Sequence, residues 1–414
     1  MTIRSIAPTR FIPFSTADII AMCRKDHGEQ SPPVIDATDF ERFAAMVGQV
    51  FHAEFKRDQD NLKKSYAEID PDADTREVFT IEQTGEAKFI DLLKSVLNKA
   101  NYEPISQQEL EQAMTRSSLF NLRLKVDFDA FSEVLLFCRG QSVRQATVKT
   151  WFGLRSKEVE FINYDRVVVY VRYKSETPND GNASADVRPG ATLLKLFQNV
   201  PRADLEMLFP NTRPAMRMQD KLLIGIPALV SGGIVLTTKM GATLLLMSSM
   251  LGFWFGLRQE PVELNAANLT ILCAGLGALG AYLWQQFSKF KNRQLLFLQQ
   301  LTQNLYFKNL DNNAGVIYRL LNDAEDEEVK ESVLAYYFLI SAGPADKQAL
   351  DNTIEQWLAS QWQCTMDFEI DDALHKLTRL GLVNQSGSTY SALPLSDAIF
   401  KLNEAWKNQW GQIA

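Results

Sequence analysis

Cysteine and histidine are scarce in this sequence of 414 residues, and both are widely scattered. The four cysteines form no CxxC pair, so the chain lacks the spacing used for zinc binding or disulfide exchange. The three histidines fall in three separate segments, which does not favour a metal site. We therefore expect no metal and no cofactor, and the sequence identifies no catalytic residue.

Positive charge is also in short supply. The chain has 43 basic and 50 acidic residues, a formal net charge of −7. Proteins that bind the phosphate backbone usually carry the opposite balance. We therefore do not expect nucleic acid as a partner.

What the sequence does have is an apolar block from Leu222 to Phe287. Its only charged residues are Lys239, Arg258, Glu260 and Glu263. A soluble core segment of this length would contain many more charges. The block predicts an integral membrane protein that has the lipid bilayer as a partner.

The apolar block contains three runs, Leu222–Thr238, Gly241–Leu257 and Leu269–Phe287. Basic residues accumulate on the cytoplasmic side of membranes, and two crossings would place most flanking lysines on one side. We therefore predict a transmembrane helical hairpin with spans at about 241–257 and 268–287, and a segment 222–238 that is re-entrant, interfacial or a third span. The localisation would be multi-pass, in a bacterial inner membrane or a mitochondrial one, with the soluble domains on the cytoplasmic-type side.

Small residues recur every four positions on both predicted spans. Such rows allow helices to pack closely in lipid. The predicted packing residues are Ser248, Gly252, Gly256, Cys273, Gly277 and Ala281. The segment Gly275–Gly280 matches GxGxxG, but no predicted strand precedes it, so a dinucleotide site is not expected.

Residues 1–200 are predicted to form a soluble α+β domain. A capping box at Thr38 opens an amphipathic helix, a second helix covers Lys88–Asn98, and alternating residues from Leu122 to Tyr173 predict a small antiparallel sheet of short strands. A juxtamembrane amphipathic segment would follow at 201–221.

Residues 288–414 are predicted to form a winged-helix-like soluble domain. The acids from Asp323 to Glu328 suit the start of a helix, two more helices follow, and a hairpin around Gly387 precedes a last helix. Residues 301–414 carry a net charge of −8, which argues against DNA binding and favours an interaction module.

Several strings resemble a known family. Phe137-Cys-Arg-Gly140, the stretch Val200–Pro210, Leu310-Asp-Asn-Asn313 and the stretch Asp367–Gly381 resemble the family catalogued as domain of unknown function 3754, which includes the vertebrate transmembrane protein 143. The resemblance implies a membrane protein with paired transmembrane helices and no assigned activity. It marks positions of unknown role: Phe137, Arg139, Gly140, Asp204, Glu206, Pro210, Asp311, Asn312, Asp367 and Phe368.

Three functions compete. The leading hypothesis is a non-enzymatic, membrane-tethered interaction or scaffold protein with a protein partner or a homo-oligomeric state. The alternative is a component of a transport or channel assembly. An enzyme is third, with Arg139 and Asp204 as its candidate site residues.

Overall fold

The computed structural model describes residues 9–29, 36–73, 86–106, 109–110, 123–150, 155–174, 190–215, 241–257 and 265–411. The chain divides into two compact units. Unit 1 comprises Met1–Leu119, Val126–Asn211 and Lys308–Ala414, and unit 2 comprises Phe120–Lys125 and Thr212–Phe307.

Helices and strands occur partly in separate runs along the chain, so the architecture is mixed α+β. They are α1 (Thr16–Glu29), α2 (Ala37–Ala67), α3 (Glu86–Lys99), α4 (Gly241–Trp254), α5 (Ala266–Lys308), α6 (Ala314–Ser341), α7 (Lys347–Trp362), α8 (Ile370–Arg379) and α9 (Leu395–Gly411). Of these, α4 and all of α5 except its last residue belong to unit 2.

Helix α2 shows how the sequence specifies an element of unit 1. The Asp36 side chain caps it by accepting from the amides of Thr38 and Asp39, so the helix begins earlier than the predicted cap at Thr38. Its predicted apolar stripe, which includes Phe40, Val47 and Phe51 at helical spacing, is buried. Spacing therefore predicted the buried face correctly, while the first turn depended on a different cap.

Unit 1 contains an antiparallel sheet in the order β1-β3-β4-β5-β7, and β2 pairs with β6 in unit 2. The strands are β1 (Glu103–Pro104), β2 (Arg123–Lys125), β3 (Phe131–Thr150), β4 (Arg155–Tyr173), β5 (Thr192–Pro201), β6 (Arg213–Ala215) and β7 (Asn309–Asn312). The short predicted strands are in fact two long ones, β3 and β4. Pairing between β3 and β4 continues on both sides of Gly140.

One core joins the N-terminal and C-terminal parts of unit 1. Side chains of β4 and β5, such as Tyr170 and Leu196, belong to the same buried cluster as residues of α2, α3 and α6. Helix α6 also contacts α1, α7 and α8. The segments that the sequence assigned to two soluble domains therefore share one hydrophobic core.

The C-terminal part follows the predicted order of helices and hairpin. Strands β8 (Ala345–Asp346), β9 (Val383–Ser386) and β10 (Thr389–Ala392) form a sheet in the order β8-β10-β9, with α7 and α8 between β8 and β9. The predicted helix start at Asp323 is wrong, because α6 already begins at Ala314. The acidic run consequently lies in the middle of α6.

The predicted transmembrane hairpin, and with it a membrane-anchored fold of that kind, is wrong. Within the described residues, one helix, at Ala266–Lys289, is long and apolar enough to cross a membrane. Helix α4 has 14 residues, a length of about 21 Å at 1.5 Å per residue, which is short of a hydrocarbon layer of about 30 Å. The apolar run reaches Leu257, but the helix ends at Trp254. Gly256, just beyond that end, adopts a positive φ, which does not continue a right-handed helix.

Two predicted features fall outside the described residues. The first apolar run, 222–238, lies within 216–240, and the acids of the predicted loop, Glu260 and Glu263, lie within 258–264. The predicted amphipathic segment at 201–221 is described only in its first part, where a 3₁₀ helix, Arg202–Leu208, buries residues 204 to 208.

Candidate functional site

Helix α6 carries a cluster of charged side chains in the interior of unit 1. Glu327, Glu328, Lys330 and Glu331 are all buried, and Lys376 of α8 is buried beside them. Helices α2, α3 and α8 pack around α6, so these groups have no water-facing side. Charges are stable in such a place only when they are paired and hydrogen-bonded. We call these five residues the buried charge cluster.

One half of the cluster holds the chain near its N-terminus. Lys330 Nζ donates to Glu327 Oε1 at 2.6 Å and to the carbonyl oxygens of Ile12 and Phe14 at 2.9 and 3.2 Å. The Ile12 amide in turn donates to Glu327 Oε2 at 3.0 Å. This pair therefore satisfies backbone groups that the interior would otherwise leave unbonded.

The other half centres on Lys376. Its Nζ lies 2.6 Å from Glu328 Oε2, 2.9 Å from Glu331 Oε2 and 3.5 Å from Asp372 Oδ2. Burial lowers the pKa of Lys376, but Glu331 and Glu328 outweigh burial, so the net pKa lies above its ordinary value. Lys376 therefore keeps its positive charge throughout the neutral range.

Glu331 has the opposite balance. Burial raises the pKa of this carboxyl to about 7, against the lowering effect of Lys376 and of a hydrogen bond from Asn101. Burial likewise raises the pKa of Glu328. A carboxyl with a pKa near 7 changes its charge at physiological pH.

Asn101 links the two halves of the cluster. Its Nδ2 donates to Glu331 Oε1 at 2.8 Å and to the Arg10 carbonyl oxygen at 3.1 Å. The residue follows the end of α3 in a left-handed conformation with a φ of 56°. Asparagine tolerates this conformation better than other residues with a side chain, which explains its use here.

Residues 9–14, which we call the N-terminal strap, cross the same region. Thr9 bridges Met366, and the Asp367 amide donates to the Thr9 carbonyl at 3.1 Å. Arg10 forms an ion pair with Glu369. A cavity of about 30 Å³ lies against the strap, with Phe11 in its lining, and this volume is about that of one water molecule.

Arg139 lies next to the strap. Its Nη2 is 2.9 Å from Asp323 Oδ2, and its Nη1 donates to the Ala100 carbonyl at 3.4 Å. The guanidinium carbon lies 5.0 Å from the ring centre of Phe11 and 4.8 Å from that of Tyr102. Two aromatic rings and two oxygen acceptors therefore hold the guanidinium in place.

The side chains of this site are suited to hold the surrounding structure in place and to bind other groups. The carboxylates of the cluster accept from ammonium, amide or backbone groups, so they are occupied by the protein itself. Burial raises the pKa of the nearby Cys138 thiol to about 12, which leaves it protonated and weakly nucleophilic. In the part of the chain that the structure describes, no three His, Cys, Asp or Glu side chains are placed to hold a metal ion.

Comparison with known proteins gives a match for one part of the chain. Residues 164–315 match the family model described as protein of unknown function (DUF3754). The matched region begins in β4 and ends in the first turn of α6, so it includes Asp204 and Asp311 but not Arg139 or the buried charge cluster. No solved structure matches the chain. The comparison supports the predicted domain of unknown function and assigns it no activity.

Within the DUF3754 region, the marked positions have separate surroundings. Asp204 and Glu206 are buried in the 3₁₀ helix Arg202–Leu208. Asp311 accepts from Arg319 Nη1 at 3.0 Å. Pro210 and Asn312 are exposed.

Outside that region, the marked residues approach the strap. Phe11 lies over Arg139, and Thr9 accepts from the amide of Asp367. Phe368 is buried and its amide donates to Glu355 Oε1 at 3.0 Å, while Phe137 packs against the core. The structure therefore brings Arg139 and Asp367 to one strap, which spacing along the chain did not predict.

In unit 2, helices α4 and α5 meet at a residue outside the predicted small-residue rows. Thr243 Oγ1 donates to the Ile271 carbonyl at 3.1 Å, and a Cβ added to Gly275 would lie 2.0 Å from that hydroxyl oxygen. A Cβ added to Gly252 or Gly277 would meet nothing within 4 Å. Packing by the rows stays a prediction for Ser248, Gly252, Gly256, Cys273, Gly277 and Ala281. The GxGxxG match lies inside α5, without the preceding strand that a dinucleotide site needs.

The sequence did not lead us to predict the buried charge cluster. Because the helix was expected to begin at Asp323, its acids were interpreted as favourable partners of a helix N-terminus. A useful signal is that Glu327, Glu328, Lys330 and Glu331 occupy several faces of one helix and precede its apolar run at residues 333–340. Charges on an otherwise buried helix indicate internal pairing.

Proposed function

We propose that this protein is a non-enzymatic interaction protein that is tethered to a membrane through the first part of α5. The observation that carries the proposal is the apolar stretch Ala266–Lys289. It is 24 residues long, and only 6% of its most apolar window is buried.

A helix that is apolar on all sides must be covered, either by protein or by lipid. At 1.5 Å per residue this stretch is about 36 Å long, which exceeds the hydrocarbon thickness of about 30 Å. Trp284, Lys289 and Lys291 lie near its C-terminal end and are exposed. Tryptophan and lysine are typical of the membrane interface, so the end of the stretch suits that position.

Two observations favour interaction over transport. Residues 266–288 contain no Asp, Glu, Lys, Arg or His, whereas ion paths across membranes use such groups. Beyond Lys289, α5 exposes further apolar side chains, including Leu295 and Phe307, which suit a protein partner or a second copy. The resemblance to transmembrane protein 143 also fits a tethered membrane protein.

The test compares two variants of one helix in full-length protein. Leu276→Arg places a charge in the middle of the apolar stretch, at a cost of about 2.5 to 3.5 kcal/mol for insertion. Leu296→Arg changes another exposed leucine of the same helix, beyond Lys289. After an alkaline carbonate wash, we expect the parent and Leu296→Arg in the membrane pellet and Leu276→Arg largely in the supernatant. Recovery of the parent in the supernatant, or equal behaviour of the two variants, would contradict the proposal.

A further inference from the structure

Two arginines face each other across adjacent strands of the unit 1 sheet. Arg139 of β3 is paired with Arg166 of β4, so both side chains leave the same face with Cβ atoms about 5 Å apart. The next pair on this face, Phe137 and Val168, packs in the core. Like charges directly opposite each other in a sheet are destabilising. This arrangement therefore calls for a compensating negative group.

The compensation visible in the protein is incomplete. Asp323 contacts Arg139 at 2.9 Å. In the described part of the chain, no acidic side chain forms an ion pair with Arg166. Arg139 Nε and Arg166 Nη1 are both buried and donate to no acceptor there. A buried donor without an acceptor costs about 1 to 3 kcal/mol, and more when it is charged.

The geometry also suits a ligand. The Arg139 side chain is 9% exposed and is held by Asp323, Phe11 and Tyr102, so its direction is fixed before any ligand binds. Arg166 is only half-buried, so its side chain is partly open to solvent, whereas its Nη1 and Arg139 Nε are covered in the unliganded protein. Guanidinium groups bind phosphate oxygens through paired N–H donors.

We propose that Arg139 and Arg166 bind one phosphate group, carried either by a lipid headgroup or by a small molecule. The phosphate enters past the half-buried Arg166, whose side chain rotates to uncover Nη1 and Arg139 Nε. Its oxygens then accept from these two donors and separate the two positive charges. The site lies in unit 1 and does not depend on the membrane tether, so either proposal can fail without the other.

The first experiment measures thermal unfolding of the full-length protein in detergent, in inorganic phosphate and in chloride at equal ionic strength. We expect phosphate to raise the Tm of the parent saturably and to leave Arg166→Gln unchanged. Arg57→Gln removes an exposed arginine of α2 and should respond as the parent does. An equal rise of the Tm in all three proteins would overturn the site.

A second arm identifies the source of the phosphate. Soluble dihexanoyl phosphatidic acid is compared with dihexanoyl phosphatidylcholine in the same assay. Stabilisation by phosphatidic acid but not by phosphatidylcholine supports a lipid headgroup, provided that phosphatidic acid binds Arg166→Gln at least about tenfold more weakly than the parent. Stabilisation by inorganic phosphate supports a small molecule. A response to neither phosphate nor phosphatidic acid would overturn the proposal.

Stability without phosphate separates a binding arginine from a structural one. Arg166→Gln removes one of two facing charges and a buried donor, so we expect its Tm in chloride to equal or exceed that of the parent. A lower Tm would show that Arg166 stabilises the fold and would overturn the proposal. Arg166→Lys, which keeps the charge but loses the planar group, should bind phosphate more weakly than the parent.

Discussion

Lys376 of α8 donates to Glu331 of α6 at 2.9 Å, and both side chains are buried. A buried pair of this kind adds little net stability compared with well-packed apolar residues, but loss of one partner leaves a charge stranded in the interior. The pair also joins two helices through residues that lie 45 positions apart in the sequence. The pair therefore acts mainly by raising the free energy of conformations in which the two side chains are separated.

Lys376→Met should strongly destabilise the protein. The substitution leaves Glu328 and Glu331 without their ammonium partner, and we expect a loss of about 3 to 5 kcal/mol, measured by urea unfolding. Lys347→Met removes a lysine whose ion pair with Asp371 is exposed, so its free energy of unfolding should stay close to that of the parent. Equal effects of the two variants would show that the cluster does not act as a buried pair.

Stability should rise as the pH falls from about 8 towards 5. The folded protein protonates Glu331 near pH 7, whereas the unfolded chain does so only near its ordinary 4.5. The folded state thus binds the extra proton, and this contribution is lost as the pH rises through 7. Urea midpoints measured across this range test the sign.

The matched variant for this pH dependence is Glu331→Gln, which keeps one of the two acceptor oxygens and does not titrate. We expect its urea midpoint to vary less with pH than that of the parent. Glu41→Gln, at an exposed ion pair with Arg24, should retain the dependence of the parent. A slope unchanged in Glu331→Gln would rule out this carboxyl as the source.

Local periodicity predicted much of the fold. The apolar stripes of α2 and α3 and the order of elements after Gly343 follow from side-chain spacing and turn residues alone. The prediction of a central transmembrane hairpin was wrong because amino-acid composition does not show where a helix ends. The run at Gly241–Leu257 is apolar throughout, yet its helix stops at Trp254.

The candidate site was beyond sequence reasoning for a different reason. Its contacts join residues far apart in the chain, such as Ile12 with Glu327 and Asn101 with Glu331. Spacing within one helix carries no information on such partners. The family resemblance marked Arg139 and Asp367 in advance, but it did not predict that both contact the N-terminal strap.

Gly140→Ala should destabilise unit 1. Gly140 has a φ of 73°, and an added Cβ would lie 2.5 Å from Asp165 Oδ2. The backbone conformation alone costs a residue with a side chain about 1 to 2 kcal/mol. Gly48→Ala, inside α2 with open space around it, should instead gain about 0.5 to 1 kcal/mol. Thermal unfolding gives the Tm of both variants. A Tm of Gly140→Ala equal to or above that of the parent would contradict this account.

The contact between α4 and α5 distinguishes the observed packing from the packing predicted by the small-residue rows. Gly275→Ala brings a methyl group within 2.0 Å of Thr243 Oγ1, and we expect a loss of about 1 to 3 kcal/mol by analogy with overpacked cores. Gly277→Ala meets nothing within 4 Å and should leave the Tm in detergent unchanged or slightly raised. Combining Gly275→Ala with Thr243→Ala removes the hydroxyl and Cγ2 but keeps the Cβ of residue 243, 2.7 Å from the added methyl group, so it should recover only part of the loss. If Gly277→Ala lowers the Tm as much as Gly275→Ala does, the rows themselves pack, and the helices meet along Gly252 and Gly277 as the sequence predicted.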